Sequence, residues 1–131
     1  MPKVTQLVVT MENKPGALAH ICSTLGQAGV NIFAIFAPEA KGKAKLRLVV
    51  DSPSKAKDFF KLAKLRVAEE EVIAVSLDNM PGALAEVAQK LARAKINVKY
   101  AYATTAGGSP KATAILAVPN VAKALAILGN G

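Results

Sequence analysis

The chain has 131 residues, of which 52% are hydrophobic and 20% charged, as is typical of a globular protein. Its formal net charge of +8 permits an acidic partner, but the lysines are scattered and arginine is rare, so a solvated basic surface is the simpler interpretation. The single cysteine excludes an internal disulfide and a multi-cysteine metal site. Neither a signal peptide nor an apolar run of membrane-spanning length is recognisable, so we expect a cytoplasmic protein without a membrane partner.

The first half of the chain alternates between strand and helix patterns. Apolar residues at Leu18, Ile21, Cys22 and Leu25 have the i, i+3, i+4, i+7 spacing of one helix face, and we expect Cys22 to be an inert core thiol on it. The patterns predict strands at residues 4–11, 30–37, 46–50 and 65–67, and helices at 15–28 and 54–65. Three glutamates at 69–71 are interpreted as a solvated link.

The second half repeats this order of elements. Strands are predicted at residues 72–77, 98–103 and 113–118, and helices at 81–94 and 120–128, with Leu84, Val87, Ala88 and Leu91 on the apolar face of the first helix. The order predicts an α+β fold with two ferredoxin-like βαββαβ modules, residues 1–68 and 69–131. Each module is an antiparallel four-stranded sheet with both helices on one face, and the modules form a pseudo-twofold pair. Because no strand follows the last helix, we expect residues 2–5 to complete the second sheet.

One short turn occurs in both halves. Pro15-Gly16 and Pro81-Gly82 lie 66 positions apart, each preceded by an acidic residue and an asparagine and followed by Ala-Leu-Ala. The same offset also aligns Lys45 with Lys111, Pro53 with Pro119 and residues 56–57 with 122–123, so the sequence predicts a duplicated module without insertions.

The repeated turn leads from a strand into a helix. Proline suits the first helical position, and glycine allows another group to approach the backbone closely. The first backbone N–H groups of a helix have no intrahelical partner and carry partial positive charge. The turn is therefore suited to hold a small anion such as a carboxylate.

These residues resemble the ACT domain, a small regulatory module of amino-acid metabolism, present twice in tandem. The motif is the acidic-Asn-x-Pro-Gly-Ala-Leu turn, followed 18 positions after its asparagine by a second asparagine, at Asn31 and Asn97. The resemblance covers nearly the whole chain. It implies ligand-sensing modules that pair and bind an amino acid between the first helix of one module and the facing module.

The resemblance also implies the residues that hold the ligand. In the first module they are Asn13, Pro15, Gly16, Ala17, Leu18, Asn31 and Ile32, and in the second Asn79, Gly82, Ala83, Leu84, Asn97 and Val98. A local role remains open for the asparagines, because Asn also favours turns and helix ends for its own backbone bonds. Lys95 replaces Gly29, which predicts a different end for the second module's first helix, and Met80 replaces Lys14. Whether both sites bind is therefore left open.

The expected function is that of a regulatory protein that senses a free amino acid and acts on a partner enzyme. A homodimer is expected, with no catalytic residues, metal or cofactor, because no nucleophile–base pair, Cys/His cluster or phosphate-binding loop is recognisable. One alternative is a detached regulatory subunit that resembles the small subunit of acetolactate synthase. Another is a ferredoxin-like RNA-binding protein, which the lack of paired aromatic residues on the central strands disfavours.

Overall fold

The computed structural model describes residues 3–129. The strands are β1 Lys3–Glu12, β2 Ile32–Phe36, β3 Lys43–Val50, β4 Val67–Asp78, β5 Tyr100–Thr104 and β6 Lys111–Ala117. The helices are α1 Ala17–Gln27, α2 Pro53–Leu62, α3 Ala83–Arg93 and α4 Val121–Leu128. The chain divides into two compact units: Thr5–Glu70, and residues 3–4 together with 71–129. We call these the first and second modules. None of the described helices is long and apolar enough to cross a membrane.

The first module is a four-stranded antiparallel sheet with two helices on one face. Its strand order is β2-β3-β1-β4, where β4 contributes its first residues. Alternate residues of β1 and β3 form a core with both helices, because alternate side chains of a strand share one face. The buried core residues are Leu7, Val9, Ile21, Leu25, Ala28, Val30, Leu46, Leu48, Val50, Ala56 and Phe60.

The second module has the same arrangement, with strand order β1-β4-β6-β5. Here the beginning of β1 takes the place of the fourth strand: Lys3 and Val4 group with this module, whereas Thr5 groups with the first and Pro2 lies outside the described residues. The buried core residues are Ile73, Val75, Leu91, Ile96, Ala114, Leu116, Val118, Ala124 and Leu128. The predicted α+β fold with two ferredoxin-like modules is confirmed.

The sequence predicted that the glutamates at 69–71 form a solvated link, but they lie inside β4. The two strands expected at 65–67 and 72–77 are one continuous strand. Each glutamate lies near a cation: Glu69 is 2.7 Å from Lys57, Glu70 is 3.5 Å from Arg47, and Glu71 is 3.6 Å from Lys3. Gln6 also donates a hydrogen bond to Glu70, at 3.2 Å. Opposite charges from other elements thus allow the strand to continue through a charged segment.

The repeat does contain an insertion, contrary to the prediction. Leu7 pairs with Leu48, while Ile73, which lies 66 positions after Leu7, pairs with Leu116, which lies 68 positions after Leu48. Ile35 pairs with Leu48, and Ala101, 66 positions after Ile35, pairs with Leu116, so the offset rises from 66 to 68 within the β5–β6 hairpin. The caps of α2 and α4, Ser52 and Asn120, also differ by 68. The identities seen at an offset of 66 beyond this point are thus not structural equivalents.

The helices α1 and α3 bury less than their predicted apolar stripes. Ile21 and Leu25 of α1 are buried, and Leu91 of α3 is buried. The half-buried or exposed members of the two stripes are Leu18, Cys22, Leu84, Val87 and Ala88. The expectation of a core thiol at Cys22 is therefore wrong, because its helix faces the sheet along a narrower line than the spacing suggested.

Candidate functional site

The repeated turn has nearly the same backbone conformation in both modules. Gly16 and Gly82 cap the helices with φ of 89° and 88°, a left-handed conformation that favours glycine. The helices therefore begin one residue later, at Ala17 and Ala83. The sequence predicted Pro15 at the first helical position. It instead precedes the cap, because the left-handed Gly16 follows it.

The backbone bonds of the turn also repeat. The amide of Ala17 donates to the Lys14 carbonyl at 3.2 Å, and the amide of Ala83 donates to the Met80 carbonyl at 3.3 Å. The first regular helical bonds run from His20 to Gly16 and from Glu86 to Gly82. Between these bonds lie two N–H groups of the first helical turn, at positions 18–19 and 84–85, which have no intrahelical acceptor in a regular helix. Both modules therefore offer hydrogen-bond donors at the same place.

The asparagines of the turn fasten it to the neighbouring hairpin loop. The Asn13 side-chain Nδ2 donates to the Ala40 carbonyl, and the Asn79 Nδ2 donates to the Ser109 carbonyl at 2.9 Å. Their backbone amides donate to Gly42 and Pro110, at 2.7 and 3.0 Å. One N–H of each carboxamide thus has the local role considered from the sequence. The other N–H and the carbonyl oxygen are the groups that a ligand could use.

Asn31 lies at the opposite end of the first module's sheet from Asn13. Its backbone exchanges two 3.1 Å hydrogen bonds with Asp51, and it precedes Ile32, which pairs with Val50 of β3. Asn13 follows Glu12, which pairs with Lys43, seven positions away from Val50 on the same strand. Seven strand positions span about 23 Å. Asn31 and Asn97 are both exposed, and a small ligand held within the first module alone cannot touch both Asn13 and Asn31.

Each module has a cavity beside its turn. The first has a volume of about 630 Å³ and the second about 340 Å³. Pro15, Gly16 and Ala17 line the first cavity, and Ala83 lines the second. The other predicted site residues lie outside the lining of both cavities: Asn13, Leu18, Asn31, Ile32, Asn79, Gly82, Leu84, Asn97 and Val98.

The first cavity also contains side chains that the sequence pattern did not single out. They are His20, Lys43, Lys64 and Arg66, from α1, β3 and the corner between α2 and β4. The repeat alone could have indicated His20, since it replaces Glu86 at the matched position. Nothing in the local sequence places the other three beside the turn, because the fold brings them from distant segments.

The first helices of the two modules end in the same way, although Lys95 replaces Gly29. Both residues are left-handed, with φ of 60° and 74°. The hydrogen bonds also match: Val30 donates to Leu25 and Ile96 donates to Leu91, each at 2.9 Å. The prediction of a different helix end is therefore wrong, because the hydrogen bonds hold Lys95 in a conformation that costs a non-glycine residue about 1–2 kcal/mol.

The two strand–turn–helix units on ferredoxin-like sheets belong to a known family, as a comparison of the sequence with family models shows. The family described as the ACT domain pair matches residues 2–128. The chain belongs to this family. A comparison with curated proteins finds no significant match.

Several solved structures share the fold of this chain. Protein BT0572 from Bacteroides thetaiotaomicron is 27% identical, with a TM-score of 0.91 over 98% of this chain and 88% of its own. The ligand-free regulatory subunit of aspartate kinase from Thermus thermophilus is 16% identical, with a TM-score of 0.68 over 96% of this chain and 91% of its own. The corresponding subunit from Thermus flavus is 13% identical, with a TM-score of 0.63 over 98% and 93%. The two aspartate kinase subunits show likeness of fold.

Proposed function

We propose that this ACT domain pair is a non-catalytic regulatory protein that binds a free amino acid and acts on a partner enzyme. Membership of the family supports a regulatory role, and the solved regulatory subunits of aspartate kinase have the same fold. The observation that carries the proposal is the turn itself. Its left-handed glycine, helix-start N–H groups and loop-anchored asparagine occur in both modules with closely similar geometry.

The turn suits the two ends of an amino acid in different ways. Helix-start N–H groups donate to a carboxylate, which the partial positive charge of the helix end also stabilises. The carboxamides of Asn13 and Asn79 can both donate and accept, so they suit an ammonium group or a polar side chain. Since Asn13 and Asn31 are far apart within the first module, we propose that a bound amino acid takes these two kinds of contact from different modules, as in the family's paired arrangement.

The protein would act on another polypeptide, because the proposed role is regulatory and no catalytic group is assigned to it. We propose a cytoplasmic enzyme of amino-acid metabolism as the partner and a homodimer as the assembled form. Size-exclusion chromatography with light scattering tests the dimer, and co-purification with the tagged chain tests the enzyme. Recovery of an acetolactate synthase large subunit would favour the alternative of a detached regulatory subunit.

A thermal-shift screen against the twenty amino acids, followed by calorimetry, tests the proposed ligand class. A ligand that binds only the folded protein adds about 2.7 kcal/mol of stability at 100 times its dissociation constant. We expect at least one amino acid to raise the Tm, and Asn13→Ala or Asn79→Ala to weaken its binding. Gln89→Ala, on the exposed side of α3, is the matched control.

The Tm of each variant without ligand separates a damaged turn from a lost contact. Asn13→Ala also removes the hydrogen bond to the hairpin loop, so its own stability must be known before its affinity is interpreted. No shift with any amino acid, for a protein that is folded and of defined oligomeric state, would contradict amino-acid sensing. Salt-sensitive binding of RNA in place of amino acids would favour the nucleic-acid alternative.

A further inference from the structure

The cavity of the first module is open to solvent and is lined by four segments of the same compact unit. The end of β1 and the start of α1 contribute Thr10, Met11 and Glu12, and Gly16, Ala17, His20 and Ile21. Lys43 enters from β3, where it is the direct cross-strand partner of Glu12. The corner between α2 and β4 completes the lining, and the amide of Thr10 donates to the Arg66 carbonyl at 3.0 Å. A cavity of about 630 Å³ is large enough for a small metabolite.

The charges around this cavity are strongly unbalanced. Its lining contains four cationic side chains, Lys14, Lys43, Lys64 and Arg66, and one carboxylate, Glu12. Glu12 is 3.1 Å from Lys14. Among residues 3–129, Lys43, Lys64 and Arg66 form no salt bridge. Positive charges that line a concave surface raise the local concentration of anions.

The corner that carries two of these cations has a defined backbone. Lys64 is left-handed, with φ of 60°, and its amide donates to the Lys61 carbonyl at 3.0 Å. The next amide, of Leu65, donates to Phe60 at 2.9 Å. These bonds end α2 and turn the chain so that Lys64, Leu65 and Arg66 all line the cavity. Lys64 and Arg66 therefore line the same cavity as the start of α1.

The cavity of the second module provides an internal comparison. Its charged lining residues are Asp78, Glu86, Lys90 and Lys111, so two carboxylates balance two lysines. Lys111 is 2.6 Å from Asp78, and this pair lies at the cavity. Glu86 replaces His20, and the volume is about 340 Å³. The charged residues that line the cavity beside the turn therefore sum to zero in the second module and to an excess of positive charge in the first.

We infer that the cavity of the first module binds a small ligand with two anionic groups, and that the second cavity does not. One group lies at the start of α1 beside Gly16 and Ala17, where the partial positive charge of the helix end stabilises it, and the other interacts with Lys64 and Arg66. Lys43 adds a further positive charge to the lining, while Lys14 is paired with Glu12. The ligand class comprises dicarboxylic amino acids and phosphorylated small molecules. This inference deepens the proposed function, on which it rests for the binding role of the turn.

Calorimetry with matched acidic and neutral compounds tests this inference. The probes are L-aspartate, L-glutamate and O-phospho-L-serine, with L-asparagine, L-glutamine and L-serine as their neutral counterparts and inorganic phosphate as a single-anion control. We expect binding of at least one dianionic probe and at least tenfold weaker binding of its neutral counterpart. The affinity should fall between about 0.01 M and about 0.15 M salt, because the cations are exposed and screened.

Charge-removing variants locate the site. The double variant Lys64→Gln/Arg66→Gln should bind the dianionic probe roughly tenfold more weakly, since two exposed ion pairs of about 0.7 kcal/mol each amount to that factor. Lys61→Gln removes a neighbouring exposed charge outside the lining, and Lys90→Gln removes a charge from the second cavity. Both should bind within about twofold of the unchanged protein. Unfolding curves of all variants show whether the fold is retained, and the single variant Arg66→Gln serves if the double variant is unstable.

The outcomes separate this inference from the proposed function. Binding of neutral amino acids alone would leave amino-acid sensing intact and overturn the dianion site. Binding of phosphoserine without the dicarboxylates, or the reverse, would support the inference and identify the source of the second anionic group. Binding by the double variant within twofold of the unchanged protein, or no binding of any dianionic probe, would overturn it.

Discussion

The two modules share one turn but surround it differently. Gly16 and Gly82 differ by 1° in φ, and Asn13 and Asn79 both donate to a carbonyl of the adjacent hairpin loop. The residues around the turn differ in charge: His20 stands where the second module has Glu86, and Lys14 where it has Met80. The comparison indicates that duplication retained the backbone of the site, whereas side chains from other segments set what each copy can bind.

The difference extends to how the two modules are packed. Helix α2 buries Ala56 and Phe60 in the first core, and α4 buries Ala124 and Leu128, each 68 positions later, in the second. The shift of two residues in the offset explains why these positions do not match when the halves are aligned without a gap. The first of these equivalent positions is alanine in both modules, whereas the second is phenylalanine in one and leucine in the other.

The largest expected effect comes from matched core leucines. Leu25 and Leu91 occupy the same position of α1 and α3 and are 0% and 1% exposed. Leu25→Ala and Leu91→Ala should each lower the free energy of unfolding by about 2–5 kcal/mol, because each leaves a cavity in its own core. Urea denaturation measures both. A loss below about 1 kcal/mol for either variant would show that its module is not held together as described.

A reciprocal exchange at the helix ends should have opposite effects. Gly29→Lys places a side chain at φ of 74° and should destabilise the protein by about 1 kcal/mol. Lys95→Gly removes the strain of a non-glycine residue at φ of 60° and should stabilise the protein by about 0.5–1 kcal/mol. The gain is partial because glycine also has greater freedom in the unfolded chain. Thermal unfolding of both variants checks this. Effects of the same sign would contradict the matched helix ends.

The smallest predicted difference concerns the caps of α2 and α4. The Asn120 side chain accepts a 3.0 Å hydrogen bond from the Lys123 amide, whereas no side-chain cap bond forms at Ser52. Asn120→Ala should therefore cost about 1 kcal/mol of unfolding free energy. Ser52→Ala, the control at the structurally equivalent position, should cost less than about 0.5 kcal/mol. Equal losses would indicate that Ser52 also caps its helix in solution.

Much of the fold could be predicted because its signals are local. Alternation and helical spacing located the strands and helices to within a few residues, and the repeated Pro-Gly turn indicated both the duplication and the family. The interior of β4 was missed because Glu69 to Glu71 are accommodated by Lys57, Arg47 and Lys3, which are distant in sequence. Identical residues at an offset of 66, such as Lys45 and Lys111, concealed the insertion.

The candidate site was predicted only in part, for a similar reason. The motif contains Pro15, Gly16 and Ala17, which line the first cavity, but Lys43, Lys64 and Arg66 reach it from other elements. Their arrangement depends on strand pairing and on the corner after α2. The ligand contacts implied for Asn31 and Asn97 remain predictions, since these residues lie away from both cavities.

The most direct test of the account is an NMR titration of the ¹⁵N-labelled chain with the tightest-binding dianionic probe. The difference between the modules predicts saturable amide shifts at residues 14–21 and 64–66 and much smaller shifts at the matched turn, residues 80–87. The Lys64→Gln/Arg66→Gln variant should need a roughly tenfold higher probe concentration to reach the same shifts. Equal shifts at both turns, or shifts confined to the second module, would contradict the claim that surrounding charge distinguishes the two copies.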